Sequence, residues 1–196
     1  MNPVTIITGS MAPLPRANVD TDQIMPKQFL KRVERTGYGQ YVFDDWRRDE
    51  ESFVLERPEY QNAKVLVTGA NFGSGSSREH APWGLQDWGF EAVIAPSFAD
   101  IFFNNCTKIG LVPVVLSAKE VQWLTELAEA DPSAEITIDV SARTVVHGTE
   151  FETTFPVDDF TRYRLLNGLD DIGITLQHAD AIDEFETLRP SFKPVL

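Results

Sequence analysis

Sulfur and positive charge are scarce in this chain. One residue in 196 is cysteine, Cys106, so no disulfide can close within it. A reducing, cytoplasmic setting is the expectation that follows. Lys and Arg number 17 against 30 Asp and Glu, a net charge of −13. Nucleic-acid and anionic-membrane surfaces call for a basic patch, so the charge balance argues against both as partners. The first residues, Met1 to Thr8, carry no basic stretch and no long apolar run, so no signal peptide is expected. Nothing approaches about 18 unbroken apolar residues, so no membrane span is expected either. His80, His147 and His178 are too scattered for a sequence-local metal site. An iron–sulfur cluster needs several thiolates, which one cysteine cannot supply.

What is present suffices for a full core: 42% of the residues are hydrophobic. The length suggests one domain over residues 1–196, since domains run to about 150 residues. Val4 to Thr8 predicts a short strand, and Met11 to Asp20, with two prolines, predicts a loop. Asp20-Thr21-Asp22 reads as a turn and N-cap cluster, or as a rigid loop aiming Asp20 or Asp22 into a site. Pro26 to Val33 could start a helix with Phe29, Leu30 and Val33 on one side. Tyr38, Tyr41, Phe43 and Trp46 predict a core or interface cluster, and Asp49-Glu50-Glu51 a solvated loop. From residue 63 strands alternate with helices: strand 63–68, helix 76–88, strand 90–95, helix 97–105, strand 111–116 and helix 117–130. That alternation predicts a βαβ core over about 63–130 with a parallel sheet. Pro113 puts its strand at an edge or bulge. Capping-box patterns open the three helices at Ser76, Ser97 and Ser117. Segments 135–140, 144–147 and 151–155 predict an antiparallel hairpin or meander, followed by helices at 158–166 and 180–188. The fold class is α/β with a mixed sheet.

The chemistry concentrates in Asn71-Phe-Gly-Ser-Gly-Ser-Ser-Arg-Glu-His-Ala81. A strand, a glycine-rich turn and a helix start aim backbone N–H groups at one point and favour an anion. The stretch lacks the lysine of a phosphate-binding P-loop. It also puts Arg78 where the dinucleotide fingerprint needs a small residue. Ser77 and His80 could touch on one helix, but the surrounding residues are not those of a hydrolase nucleophile elbow. Ser76 has two open readings. It could be the N-cap closed by Glu79, or a proton acceptor whose alkoxide is stabilised by N–H donors and Arg78. Arg78 could also grip a carboxylate by a forked pair of hydrogen bonds.

Five segments together resemble the small subunit of bacterial 3-isopropylmalate dehydratase. They are Asn18-Val-Asp-Thr-Asp-Gln-Ile, Pro26-Lys-Gln-Phe-Leu-Lys, residues 71–83, Ala95-Pro-Ser-Phe-Ala-Asp-Ile-Phe102 and residues 166–177. Gly75-Ser-Ser-Arg-Glu-His is shared with the C-terminal domain of the wider aconitase family. The resemblance implies a swivelling β/β/α domain that caps a separate large subunit. It implies a [4Fe-4S] cluster on that partner and none on this chain. The implied reaction interconverts 2- and 3-isopropylmalate through 2-isopropylmaleate, in leucine biosynthesis. By motif position Ser76 is implied as the group that takes the carbon-bound proton. Ser77 and Arg78 are implied as carboxylate binders, and Leu30 lies in the region that tunes side-chain specificity. Thr107-Lys-Ile109 departs from the family pattern. Two alternatives stay open: the same chemistry on a citraconate- or homoaconitate-type acid, and a non-catalytic interaction module.

Overall fold

The computed structural model describes residues 1–31 and 34–190. Seven strands among them form one mixed sheet: β1 (Ile6–Leu14), β2 (Val65–Thr68), β3 (Ala92–Ala95), β4 (Val112–Val115), β5 (Glu135–Asp139), β6 (Thr144–His147) and β7 (Phe151–Thr154). Their order is β4-β3-β2-β1-β5-β6-β7. Strand β1 joins two half-sheets. Its first part, Ile6 to Ser10, runs antiparallel to β5, and its second part, Met11 to Leu14, runs parallel to β2. Strands β2, β3 and β4 continue the parallel half, and β5, β6 and β7 form the antiparallel meander.

The helices are α1 (Thr21–Ile24), α2 (Asp44–Asp49), α3 (His80–Trp88), α4 (Asp100–Ile109), α5 (Ala118–Ala130), α6 (Asp159–Asn167), α7 (Asp171–Leu176) and α8 (Ala179–Thr187). Strand β2 is buried along its whole length, as a strand covered on both faces must be. Alternation splits it between two cores. Leu66 joins Ile24, Phe43, Leu85, Phe102 and Cys106, so α1 to α4 cover that face. Val65 and Val67 join Leu124 and Leu165, so α5 and α6 cover the other.

The aromatic segment is core: Tyr38 and Phe43 are fully buried, and Tyr41 and Trp46 pack against them. Pro113 lies on the edge strand β4, where a missing N–H breaks no ladder. Helix α5 has the complete capping box, with Ser117 and Glu120 bonding each other's backbone N–H. Gly168 ends α6 in the left-handed conformation.

Several expectations are corrected. Residues 11–14 are strand, not loop. Pro13 fits because β1 is paired on one side only beyond Ser10. The helix after the serine loop starts at His80, not Ser76, and the Ser76–Glu79 capping box is absent. Pro82 explains the late start. As the third residue of α3 it gives up an N–H that has no helical partner. Capped at Ser76, the helix would place it in the second turn and lose a bond. The Ser97 box is also absent: α4 begins at Asp100, and the Ser97 hydroxyl accepts from the Asn71 N–H at 2.9 Å. Lys27–Lys31 is a short 3₁₀ turn. Val33 lies outside the described residues. Glu50 is no loose solvated carboxylate. It takes a two-pronged bond from Arg16, at 2.8 Å and 2.5 Å, and Arg16 stacks on Trp46. Its carboxyl is accordingly held below the usual range, first by that hydrogen bond. Helices α1, α2 and α7 escaped the periodicity because they are too short to show one. At Thr107-Lys-Ile109 the packing is ordinary, with Thr107 bonding the Asn104 carbonyl and Lys108 paired with Asp171 at 3.2 Å.

Candidate active site

The serine loop leaves the C-terminal end of β2 and is pinned before it reaches its polar tip. Phe72 is fully buried and meets Phe102 and Phe98 edge-on. Its backbone pairs with the next crossover through Phe72 N–H to the Ser97 carbonyl and Ala99 N–H to the Phe72 carbonyl. Asn18 and Asn71, both left-handed, are joined side chain to side chain at 2.9 Å. Asparagine accepts that conformation at little cost. Gly73 has φ +76°, and a Cβ there would sit 2.1 Å from the Phe102 ring. Gly75, at φ +85°, turns the chain over Asp20.

The second support is α1. Asp20 caps it in a full capping box with Gln23. Thr21, 2% exposed, then clamps the loop at two points. Its N–H donates to the Ser74 carbonyl at 2.9 Å, and its hydroxyl to the Ser76 carbonyl at 2.8 Å. The next residue, Asp22, pairs with the Arg78 guanidinium. Lys27 stands 3.9 Å from the same carboxylate. The N-cap reading of Asp20-Thr21-Asp22 holds at Asp20, and Asp22 reaches the loop by its pair with Arg78.

Ser76, Ser77 and Arg78 line one cleft of about 230 Å³ with Thr21, Gly73, Gly75 and residues 99–102. Ser76 and Ser77 are exposed and Arg78 is half-buried. The backbone N–H groups of Gly75, Ser76, Ser77 and Arg78 donate to no acceptor among the described residues. Amides, hydroxyls and a guanidinium gathered on one loop are groups that can donate to an anion. The helix start itself is one turn removed, at His80. His80 packs its ring against Tyr38 and Trp83. Burial lowers its pKa below the usual 6.5; Glu79 opposes that shift and Arg78 adds to it. It is a packing residue behind the loop.

Leu30 is not part of the cleft lining. It is half-buried against the core under α1 to α4. The apolar side of the cleft is furnished instead by Ala99 and Ile101, the latter 53% exposed. Sequence reasoning missed Thr21 and Ile101 as parts of the site. The Asp20-x-x-Gln23 capping pattern could have placed Thr21 on a rigid turn, whereas nothing in the pattern of residues marks Ile101.

No group of three or more His, Cys, Asp and Glu suited to a metal exists among the described residues. Cys106 is wholly buried, and burial pushes its thiol well above the ordinary range. Among the described residues no helix is long and apolar enough to cross a membrane.

The aconitase C-terminal domain family matches residues 1–119. A second family, the C-terminal domain of the 3-isopropylmalate dehydratase small subunit, matches residues 171–196. The 3-isopropylmalate dehydratase small subunit of Rubrobacter xylanophilus is 56% identical over 194 residues, 99% of this chain and 98% of that one. The small subunit of Brevibacillus brevis is 53% identical over 96% of this chain and all of its own. A crystal structure of 3-isopropylmalate dehydratase from Methanocaldococcus jannaschii superposes with a TM-score of 0.66 at 25% identity, covering 92% of this chain and 99% of that one.

Proposed function

The chain belongs to the family of 3-isopropylmalate dehydratase small subunits, within the aconitase fold, and from that premise we propose that it carries the proton-transfer half of a two-subunit active site. The reaction is a dehydration followed by rehydration, moving the hydroxyl between the 2- and 3-positions of isopropylmalate in leucine biosynthesis. The observation that carries the assignment is the convergence of Ser76, Ser77 and Arg78 in one cleft, where the amides of residues 75–78 find no acceptor among the described residues.

In this reading Arg78 and Ser77 bind a substrate carboxylate. The guanidinium offers a planar fork that an ammonium cannot imitate. Asp22 is a positioning residue: it holds Arg78 while the cleft is empty and keeps it aimed when the carboxylate arrives. Ser76 Oγ takes the carbon-bound proton on dehydration and returns a proton on rehydration. A serine is far too weak an acid for this in water. The free amides of residues 75–78 and the positive Arg78 lower the cost of its alkoxide. Thr21 fixes the Ser76 backbone, so the hydroxyl is presented without reorganisation. The branched alkyl group lies along Ala99 and Ile101. Leu30, on the turn that brings Lys27 to Asp22, tunes the choice of side chain from that turn.

This chain lacks the donors for a cluster, so the [4Fe-4S] group is proposed for the large subunit. There it would supply a Lewis-acidic iron to the substrate hydroxyl. A cleft of about 230 Å³ is smaller than the roughly 300–1,000 Å³ of complete small-molecule sites, as half a site should be. The test is reconstitution with the large subunit and assay on 2-isopropylmalate and 2-methylmalate. Preferential turnover of isopropylmalate supports the reading. Preference for 2-methylmalate would move the chain to a related acid, and turnover by neither would remove the catalytic reading.

A further inference from the structure

Large apolar side chains gather at one end of the chain without cover. Six of the eight exposed ones among the described residues are Phe160, Tyr163, Ile172, Leu176, Phe185 and Leu188. Four lie on or beside α7 and α8, at 70%, 63%, 67% and 76% exposure for Ile172, Leu176, Phe185 and Leu188. Scattered exposed leucines need no explanation, but an amphipathic pair of helices with its apolar side in solvent does. Helix α8 is covered by neither core: none of its side chains is buried.

The segment is also marked off by the family matches. The aconitase C-terminal domain family reaches only residue 119, and the family specific to dehydratase small subunits begins at 171. Helices α7 and α8 thus lie in the stretch matched by the family named for the dehydratase small subunit. Charge narrows the occupant. Helix α8 carries Asp180, Asp183, Glu184 and Glu186 and no Lys or Arg. A second copy meeting this face through a two-fold axis would set these carboxylates against their own copies.

We infer that the apolar side of α7 and α8 is the docking surface for the large subunit, whose facing groove is apolar and rimmed with Lys or Arg. The inference rests on the functional reading above, since it names the partner of that same half-site. It assigns to α7 and α8 the apolar anchors and to the α8 carboxylates the steering rim.

The test titrates separately purified large subunit with the full chain and reads the concentration giving half-maximal isopropylmalate turnover. Phe185→Ser with Leu188→Ser is expected to raise that concentration about thirty-fold, the size of one strong interface anchor. The saturating rate and the melting temperature of the isolated chain stay unchanged, because both side chains are exposed. Asp183→Lys with Glu186→Lys weakens association most at low salt. An unchanged titration for both variants overturns the surface alone. Self-association of the isolated chain that the serine variant abolishes assigns the surface to a second copy and overturns it too. A wild-type chain that never activates the large subunit overturns the functional reading and this surface with it.

Discussion

The decisive contact at the residue scale is Asp22 to Arg78. In the proposed function, an arginine meant for a substrate carboxylate is held here by one of the protein's own. The pairing keeps a half-buried guanidinium compensated while the cleft is empty. Arg78→Lys keeps the charge and loses the fork. Its KM for isopropylmalate in the reconstituted enzyme should rise at least about ten-fold. Asp22→Asn keeps the shape and loses the charge. It should also raise KM, with a smaller effect on kcat, because in the proposed function Asp22 acts only by holding the guanidinium. Steady-state kinetics on both variants check this split. The Ser-Ser-Arg triplet was plain in the sequence because that residue combination is rare and chemically loaded. Asp22 was only half legible: its neighbourhood read as a turn, and its partner Arg78 lies 56 positions further along the chain. Ser76 looked equally like a helix cap. Pro82, six residues on, held the physical answer.

The element that makes the site is the loop from Asn71 to Glu79, and its geometry depends on Gly73. A Cβ there meets the Phe102 ring at 2.1 Å, in a left-handed backbone. Gly73→Ala should therefore cost about 2–4 kcal/mol, from overpacking and strain together. Thermal unfolding should show a drop of roughly 5–15 °C. Behind the loop, His80 contributes a pH dependence. Its folded pKa is lowered from 6.5, chiefly by burial, so the unfolded chain takes up the proton first. The stability it contributes is complete above 6.5 and is lost as pH falls through the folded value. His80→Phe keeps the ring packing against Tyr38 and Trp83 and removes the proton site. Urea midpoints at pH 7.5 and 5.5 should fall less for the variant than for the wild type. Regular elements were the most legible: β2 to β4, α5 and the meander all follow from periodicity and buried apolar runs. The short α1, α2 and α7 were not, since four to six residues are too few to display a helical stripe.

Over the whole molecule one sheet serves two cores, and β2 contributes neighbouring residues to both. Neither face can be exposed without stripping the strand the other depends on. A single unfolding transition is therefore expected, with the Trp46 side and the Trp123 side melting together in near-UV circular dichroism and fluorescence. Two separated transitions would divide the chain into independently folding parts. That one strand, β1, serves both half-sheets was illegible in the sequence. Pro13 and Pro15 spoke for a loop, and only the one-sided pairing of residues 11–14 reconciles Pro13 with strand. In the proposed function the site, too, is whole only with the large subunit, since this chain offers a single, buried cysteine.

The central claim is that Ser76 moves the proton. Its most direct test is exchange of the carbon-bound hydrogen of isopropylmalate with solvent deuterium, in enzyme reconstituted with wild-type or Ser76→Ala chain. The exposed hydroxyl is not structural, so the variant should fold, bind the large subunit and bind substrate with little change in KM. Exchange and turnover should fall about 10²–10⁴-fold, the range of a lost general base. Exchange at the wild-type rate in the fully assembled variant would contradict the account.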